Sequence, residues 1–220
     1  MSTMITDVLF DLDGTLVHSA PGILGTFSTV LADAGITPVD AVDERVIGPP
    51  LVPTLQRLSG LPAGPDLDRI AAAFRRLYDS KGAMEADPYP GMGDVLRAIQ
   101  ATGRRSIIVT NKRKVPAQAI AERLGISGFL SGLYTLDTLE PPAARKHEVV
   151  AHILRTHSIA PSSAVLVGDS VEDAAAAAAN AVRFVAAAYG YGTPSAFTAA
   201  APAATLTRLA DLPAVLAALD

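Results

Sequence analysis

The sequence contains no cysteine and no tryptophan, and only 5% of its residues are aromatic. Without cysteine the chain cannot form a disulfide framework, a thiolate zinc site or a cysteine nucleophile. Charge is also sparse, because 18% of residues are charged and the formal net charge is −4. A negative net charge argues against a broad nucleic-acid footprint, which normally shows as a basic face, so we expect no nucleic-acid partner.

Long apolar segments are missing as well. The N-terminal stretch MSTMITDVLF has no basic region followed by an apolar core, so we do not expect a secretory signal. The alanine-rich stretch 174–189 is interrupted by Asn180 and Arg183, whereas a bilayer span needs ~20 predominantly apolar residues. We therefore expect no membrane partner and a cytoplasmic location, with a monomer or a homodimer both compatible.

What the chain does contain is enough apolar sequence for a large core, since half of its 220 residues are hydrophobic. Short apolar runs at 8–10, 106–109 and 164–167 have the length and branched composition of strands buried on both faces. A further strand is predicted at 183–187, and segments with helical spacing lie between the runs. Strands alternating with helices predict an α/β fold with a doubly wound parallel sheet.

One region interrupts this alternation. Between residues 18 and 86 there are two helical stripes, one through Ile23 and Phe27 and one through Ile70 and Phe74, and no run typical of a buried strand. Proline and glycine clusters at 48–53 and 60–65 are typical of internal turns. We predict a mainly helical domain at 18–86, inserted into a Rossmann-like core formed by 1–17 and 87–220.

Each of the three apolar runs leads into a polar residue at its C-terminal end; these residues are Asp11, Thr110 and Asp169. In an open parallel sheet, ligands bind beyond the carboxyl ends of the strands, so these side chains should share one crevice with Asp13. Clustered acids repel one another unless a cation is present, and Mg²⁺ accepts carboxylate and phosphate oxygens. The pattern favours a metal and an anionic substrate. Asp13-Gly14 alone is equally typical of a plain hairpin turn.

Four segments resemble the motifs of the haloacid dehalogenase superfamily, in order and spacing. They are Asp11-Leu12-Asp13-Gly14-Thr15, then Val109-Thr110-Asn111-Lys112, then Lys146, and finally the GDSxxD pattern from Gly168 to Asp173. The insertion at 18–86 is similar to the family's C1 cap. Within it, Gly48-Pro49-Pro50 resembles the phosphoglycolate phosphatase-like branch.

The resemblance implies a role for each matched residue. Asp11 would be the nucleophile that forms an aspartyl-phosphate, and Asp13 would be the general acid and base. Mg²⁺ would be held by the carboxylates of Asp11 and Asp169 and by the main-chain carbonyl of Asp13. Asp173 would either bind the ion directly or orient its water ligands or Lys146. The remaining matched residues would contact the phosphoryl group or the substrate; these are Thr110, Asn111 and Lys146, and, in the cap, Gly48 and Pro49.

Several alternatives stay open. Arg145 competes with Lys146 for the cationic role, because the segment departs from the Lys-Pro-x-Pro form common in the family. Lys112 could also offer positive charge to the crevice, but a lysine near a helix start is more often solvated, and we interpret it as a solvated lysine. The predicted function is a phosphatase acting on a small phosphorylated metabolite. A β-phosphoglucomutase-type phosphomutase and a non-enzymatic phospho-aspartate switch are the alternatives. Phosphoglycolate, pyrophosphate, a sugar phosphate and a nucleotide are all compatible substrates.

Overall fold

The computed structural model describes residues 4–193 and 201–220. The chain folds into two compact units, one formed by Met1–His18 with Pro88–Asp220 and the other by Ser19–Asp87. No helix among the described residues has the length and apolar character needed to cross a bilayer. The strands are β1 (Asp7–Phe10), β2 (Val17–His18), β3 (Asp87–Pro88), β4 (Arg105–Thr110), β5 (Leu130–Thr135), β6 (Ala164–Gly168), β7 (Arg183–Ala187) and β8 (Ala204–Leu206).

A six-stranded parallel sheet organises the larger unit, in the order β5-β4-β1-β6-β7-β8. The four strands predicted from apolar runs are all present, as β1, β4, β6 and β7. They occupy the inner positions of the sheet, where both faces are covered and every position can be apolar. The strands β5 and β8 lie at the two edges, and sequence reasoning missed them because partly exposed edge strands need no continuous apolar run.

Helices of the larger unit accompany this sheet. Buried side chains of α6 (Lys146–Thr156) and α7 (Val171–Ala179) form one hydrophobic cluster with buried residues of β1, β4 and β6, among them Leu9, Ile107 and Leu166. The predicted α/β fold with a doubly wound parallel sheet is therefore confirmed. Among the residues that the structure describes, the helices of this unit are α4 (Met92–Ala101), α5 (Lys114–Arg123), α6 (Lys146–Thr156), α7 (Val171–Ala179) and α8 (Leu212–Leu219). They are preceded in the chain by α1 (Ala20–Asp33), α2 (Leu51–Ser59) and α3 (Pro65–Ser80).

The smaller unit is built from α1, α2 and α3. Its two predicted helical stripes meet in the interior, where the rings of Phe27 and Phe74 have centroids 4.4 Å apart. Such offset aromatic pairs add to the stability gained by burial. The turn predicted at 60–65 is present, because Gly60 closes α2 with φ +70° and α3 begins at Pro65. The turn predicted at 48–53 is shorter than expected, since α2 already begins at Leu51.

Candidate active site

The site lies beyond the carboxyl ends of β1, β4 and β6, which are neighbours in the sheet. Asp11 follows β1, Thr110 ends β4 and Asp169 follows β6, and all three are buried. The main-chain N–H of Asp11 donates a hydrogen bond to the carbonyl oxygen of Val167, 2.9 Å away. The sheet pairing thus continues one residue past β1 and fixes the backbone of Asp11 against β6.

The chain turns sharply after Asp11. The N–H of Gly14 donates to the carbonyl of Val17 at 2.9 Å, and the N–H of Leu16 donates to that of Leu12 at 3.0 Å. The hairpin interpretation and the reaction-site interpretation of this segment are therefore compatible, because the turn begins only after the strand has delivered Asp11.

Lys146 is the first residue of α6 and joins two acids. Its Nζ lies 2.7 Å from Asp11 Oδ1 and 2.6 Å from Asp173 Oδ1, and its side chain is only 4% exposed. A lysine removed from water to this degree requires charged partners. Arg145, the competing cation in the sequence, is exposed at the N-cap of the same helix. The structure therefore places Lys146, and not Arg145, beside Asp11.

Asp173 is fully buried in the first turn of α7, where it forms a reciprocal cap with Ser170. Its Oδ2 accepts hydrogen bonds from the Ser170 main-chain N–H at 3.0 Å and from Ser170 Oγ at 2.6 Å. Since Oδ1 is engaged by Lys146, both carboxylate oxygens already have protein donors. This geometry favours Asp173 as the residue that holds Lys146 in place.

Asp169 is oriented by the turn after β1 and by the segment after β7. Its Oδ1 accepts a hydrogen bond from Thr15 Oγ1 at 3.2 Å, and its Oδ2 accepts one from the Tyr191 main-chain N–H at 2.7 Å. Close packing here requires glycine, because a Cβ on Gly14, whose φ is +81°, would lie 2.2 Å from Asp169 Oδ2. A Cβ on Gly190 would lie 2.4 Å from Asp169 Cβ. Sequence reasoning missed Thr15, Tyr191 and Gly190 as supports of this carboxylate.

The loop after β4 brings a second lysine into the site. Lys112 Nζ lies 3.0 Å from Asp13 Oδ1, and the lysine side chain is 5% exposed. The interpretation of Lys112 as a solvated lysine is therefore wrong. The main-chain N–H of Lys112 also donates to Thr110 Oγ1 at 3.2 Å. Its position directly after Thr110-Asn111 at a strand end was the only available sequence signal.

Asn111 lies in the same loop and reaches α7. Its side-chain amide nitrogen donates a hydrogen bond to the carboxylate of Glu172. Its amide oxygen is buried and has no hydrogen-bond partner among residues 4–193 and 201–220. Gly48 and Pro49, the predicted cap contacts, belong to the smaller unit, where Gly48 has φ +97° and open space around the position that a Cβ would take. Their contact with substrate stays a prediction.

Negative charge is concentrated at the strand ends. Burial raises the pKa of Asp11 well above its usual range, Lys146 opposes this rise, and the neighbouring carboxylates add to it. Burial, followed by repulsion from Asp173, raises the pKa of Asp169 to about 7 against the hydrogen bonds from Tyr191 and Thr15. Burial disfavours the charged form of Lys146, but Asp11 and Asp173 outweigh it and its pKa is raised. A bound cation would relieve the repulsion among these acids.

The donor set fits a hard divalent cation. Asp11, Asp169 and Asp173 each offer one carboxylate oxygen, and these oxygens lie within 4.8 Å of one another. Oxygen-only ligands suit Mg²⁺ and related ions, which also retain water and phosphate oxygens as ligands. Both oxygens of Asp173 accept hydrogen bonds from Lys146 and Ser170, and both oxygens of Asp169 accept them from Thr15 and the Tyr191 main-chain N–H. Direct contact of Asp11 and Asp169 with the metal therefore stays a prediction of the family resemblance.

A parallel α/β core with acids and a lysine gathered at the ends of its central strands has the arrangement of α/β proteins that bind their ligands beyond the strand ends. Residues 8–187 match the model of the haloacid dehalogenase-like hydrolases. The chain belongs to that family, as its motifs implied.

Several known proteins are similar to this chain in sequence or in structure. The chain is 35% identical over 195 residues to a phosphoglycolate phosphatase of Rhodospirillum rubrum, covering 84% of this chain and 80% of that protein. It is 32% identical over 186 residues to the tyrosine-protein kinase PtkA of Mycobacterium tuberculosis, covering 84% of this chain and 62% of that protein. A solved haloacid dehalogenase-like hydrolase from Streptococcus pneumoniae superposes with a TM-score of 0.85 at 28% identity, covering 96% of this chain and 97% of that one. Within its family, the chain is a phosphatase.

Proposed function

We propose that the protein is a Mg²⁺-dependent phosphomonoesterase that hydrolyses a small phosphorylated metabolite through a phospho-Asp11 intermediate. The observation that carries the proposal is the buried Lys146, which bridges Asp11 and Asp173 beside Asp169. The carboxylates of Asp11, Asp169 and Asp173 share one lysine ammonium group, that of Lys146, which formally leaves two negative charges when all three are ionised. A divalent cation has the charge that would balance them.

In the first half-reaction, a carboxylate oxygen of Asp11 attacks phosphorus and the bond from phosphorus to the ester oxygen breaks. Asp13 gives its proton to the departing oxygen, so an alcohol leaves and Asp11 carries the phosphoryl group. Covalent catalysis of this kind divides one difficult step into two easier ones. The strand end holds Asp11 in place for the attack, and Lys146 favours its ionised form.

In the second half-reaction, Asp13 takes a proton from water as the water oxygen attacks phosphorus. The bond between phosphorus and Asp11 breaks, which releases inorganic phosphate and restores both carboxyl groups. General acid–base help of this kind is typically worth ~10²–10⁴-fold. Throughout, the Thr110 hydroxyl and the Asn111 main-chain N–H would hold phosphoryl oxygens, and Lys146 would stabilise the charge on them.

The metal would be held by the carboxylates of Asp11 and Asp169 and, as the family resemblance implies, by the main-chain carbonyl of Asp13. When bound, Mg²⁺ supplies positive charge that draws a phosphoryl oxygen towards Asp11 and offsets repulsion between two anions. Asp173 supports this arrangement by holding Lys146.

Substrate choice is assigned to the helical unit. In this proposal, residues 18–86 act as a cap that covers the bound ester and excludes water during the first half-reaction. Gly48 and Pro49 would contact the substrate from that cap. The relative from Rhodospirillum rubrum, named for phosphoglycolate, supports a small carboxylated phosphate ester as the first compound to test. We place this activity in the cytoplasm.

The test is release of inorganic phosphate from a metabolite panel that includes phosphoglycolate, pyrophosphate, sugar phosphates and nucleotides, with Mg²⁺ or with EDTA. Asp11→Asn should lower turnover by about 10³-fold or more, because an amide cannot form the acyl-phosphate. Asp13→Asn should also be severely impaired. Acid-quenched wild-type protein should carry one phosphoryl group on the peptide that contains Asp11, detected by mass spectrometry.

The control is Asp94→Asn, which makes the same chemical change at a side chain on α4 that is 81% exposed. It should behave as wild type. Near-normal turnover by Asp11→Asn, or activity unaffected by EDTA, would contradict the mechanism. An isomerised sugar phosphate without released phosphate would identify a phosphomutase instead, and a phospho-Asp11 that persists for hours would identify a switch.

A further inference from the structure

Lys112 is a buried cation that the mechanism above does not use. Its side chain is 5% exposed and its Nζ lies 3.0 Å from Asp13 Oδ1. Within residues 4–193 and 201–220, Asp13 Oδ1 is buried and accepts no well-directed hydrogen bond, so this ion pair is its compensating contact. Removing a lysine from water costs free energy that only close pairing offsets. The burial of Lys112 therefore needs a reason.

The backbone of the same residue contacts a different part of the site. Its main-chain N–H donates to Thr110 Oγ1 at 3.2 Å. One residue thus touches both the hydroxyl assigned to the phosphoryl group and the carboxylate assigned to the leaving group. The side chain of Thr110 comes from β4 and that of Asp13 from the turn after β1. The two residues are far apart in the sequence, so the chain itself does not fix their relative positions.

The loop that carries Lys112 is fixed at both ends. It spans only residues 111–113, between the end of β4 and the start of α5. At its beginning, the Asn111 amide donates to Glu172, and at its end, the Lys114 main-chain N–H donates to Asp137 Oδ1 at 3.0 Å. A short loop held in this way presents its lysine in a defined position.

We propose that Lys112 is a positioning residue that sets the orientation of the Asp13 carboxylate relative to Thr110. The proposal rests on the proposed function. By holding Asp13 Oδ1, the ammonium group limits rotation of the carboxylate and leaves Oδ2 to face the ester oxygen. A general acid must lie within hydrogen-bond reach of the atom that it protonates, so its orientation bears directly on the rate.

The test compares two phosphate esters whose leaving groups depend to different degrees on protonation by Asp13. Phenyl phosphate has a leaving group that requires protonation, whereas 4-nitrophenyl phosphate has an activated one. Neither leaving group carries a carboxylate, so loss of a contact to a substrate carboxylate cannot produce the result. The ratio kcat/KM reports steps up to departure of the leaving group, and it is measured for both esters with Mg²⁺ present.

We expect Lys112→Met to lower kcat/KM for phenyl phosphate by about 10-fold or more, which is part of the typical general-acid contribution. For 4-nitrophenyl phosphate the fall should be several-fold smaller. Lys112→Arg keeps the charge and should recover much of the kcat/KM that Lys112→Met loses on phenyl phosphate. Lys114→Met is the matched control, because Lys114 is exposed two residues later and its side chain has no assigned role.

Equal losses on both esters would overturn the proposal, because they would indicate that Lys112 acts on the phosphoryl group. A Lys112→Met variant that matches Lys114→Met would overturn it as well. Failure of the proposed function gives a different result, since wild-type protein would then release phosphate from neither ester and from no compound of the metabolite panel. A crystal structure of Lys112→Met should show the Asp13 carboxylate rotated or in two orientations, and an unchanged carboxylate would contradict the positioning role.

Discussion

The two lysines of the site pair with acids in different ways. Lys146 lies between two buried carboxylates, at 2.7 Å and 2.6 Å, and comes from the first turn of a helix. Lys112 pairs with Asp13, which is 15% exposed, and comes from a three-residue loop. The group formed by Lys146, Asp11 and Asp173 therefore has both a structural and a chemical role. For the pair of Lys112 and Asp13, we expect loss of the lysine charge to lower the free energy of unfolding by a smaller amount. Substitutions that act on one group and spare the other can test this difference.

Replacement of Lys146 should have the largest effect. Lys146→Met leaves Asp11 and Asp173 facing each other without a cation, and breaking a buried pair in this way typically costs about 3–5 kcal/mol. We expect a fall in the free energy of unfolding of that size, measured in urea without Mg²⁺. Turnover should fall by about 10²–10³-fold, as when one electrostatic donor is removed from an active site.

Lys112→Met provides the comparison for that stability measurement. Lys112 contacts the carboxylate of Asp13, whose side chain is 15% exposed, so the loss should be smaller, at about 1–3 kcal/mol, the typical cost of leaving one buried acceptor without its partner. Equal destabilisation by the two variants would remove the contrast between the groups.

The pH dependence of stability should report the acids around Lys146. Because the pKa of Asp169 is raised from 3.8 to about 7, the folded state binds more protons than the unfolded state between these values. Stability without metal should therefore fall as pH rises from about 4 to 7, by roughly 4 kcal/mol from Asp169 alone, and the raised pKa of Asp11 should add to the fall. Urea unfolding at several pH values with EDTA measures this.

Two additions sharpen the pH experiment. Mg²⁺ that binds only the folded state should remove most of the fall, since it stabilises that state in proportion to its saturation. Asp169→Asn should flatten the profile without metal and abolish the effect of Mg²⁺. A wild-type stability that rises between pH 4 and 7 with EDTA would show that repulsion among these acids does not dominate.

The smallest effect is expected at Arg145. Arg145→Met removes the charge next to Lys146 in the sequence, but the side chain is exposed and outside the carboxylate cluster. Turnover should stay within about twofold of wild type, and the free energy of unfolding within ~0.5 kcal/mol. A large loss of activity would indicate that Arg145, and not Lys146, is the catalytically important cation.

Strands could be predicted from the sequence where burial on both faces produces a continuous run of apolar residues. The strands β1, β4, β6 and β7 are covered on both faces, so their apolar runs could be recognised, and the polar residues after them could be assigned to one edge of the sheet. The edge strand β5 could not be recognised in this way, because its sequence LSGLYT contains serine and glycine and only Thr135 is buried.

The supporting contacts of the site were harder to predict, because they join segments far apart in the chain. Tyr191 reaches Asp169 through its main-chain N–H, which any residue other than proline can supply, so side-chain identity carries no information about the contact. Lys112 has the composition of a surface loop, and its burial depends on where the turn after β1 places Asp13.

By itself, the amino-acid sequence determined the parallel α/β core, the helical insertion, the family and the strand-end position of Asp11, Thr110 and Asp169. These features depend on local apolar periodicity and on motif order, which are written along the chain. Only the tertiary structure decided that Lys146 and not Arg145 faces Asp11, and that Lys112 is paired with Asp13. Those outcomes depend on where a helix begins and how neighbouring strands are paired, because the charge of a side chain is known from its sequence but its partner is not.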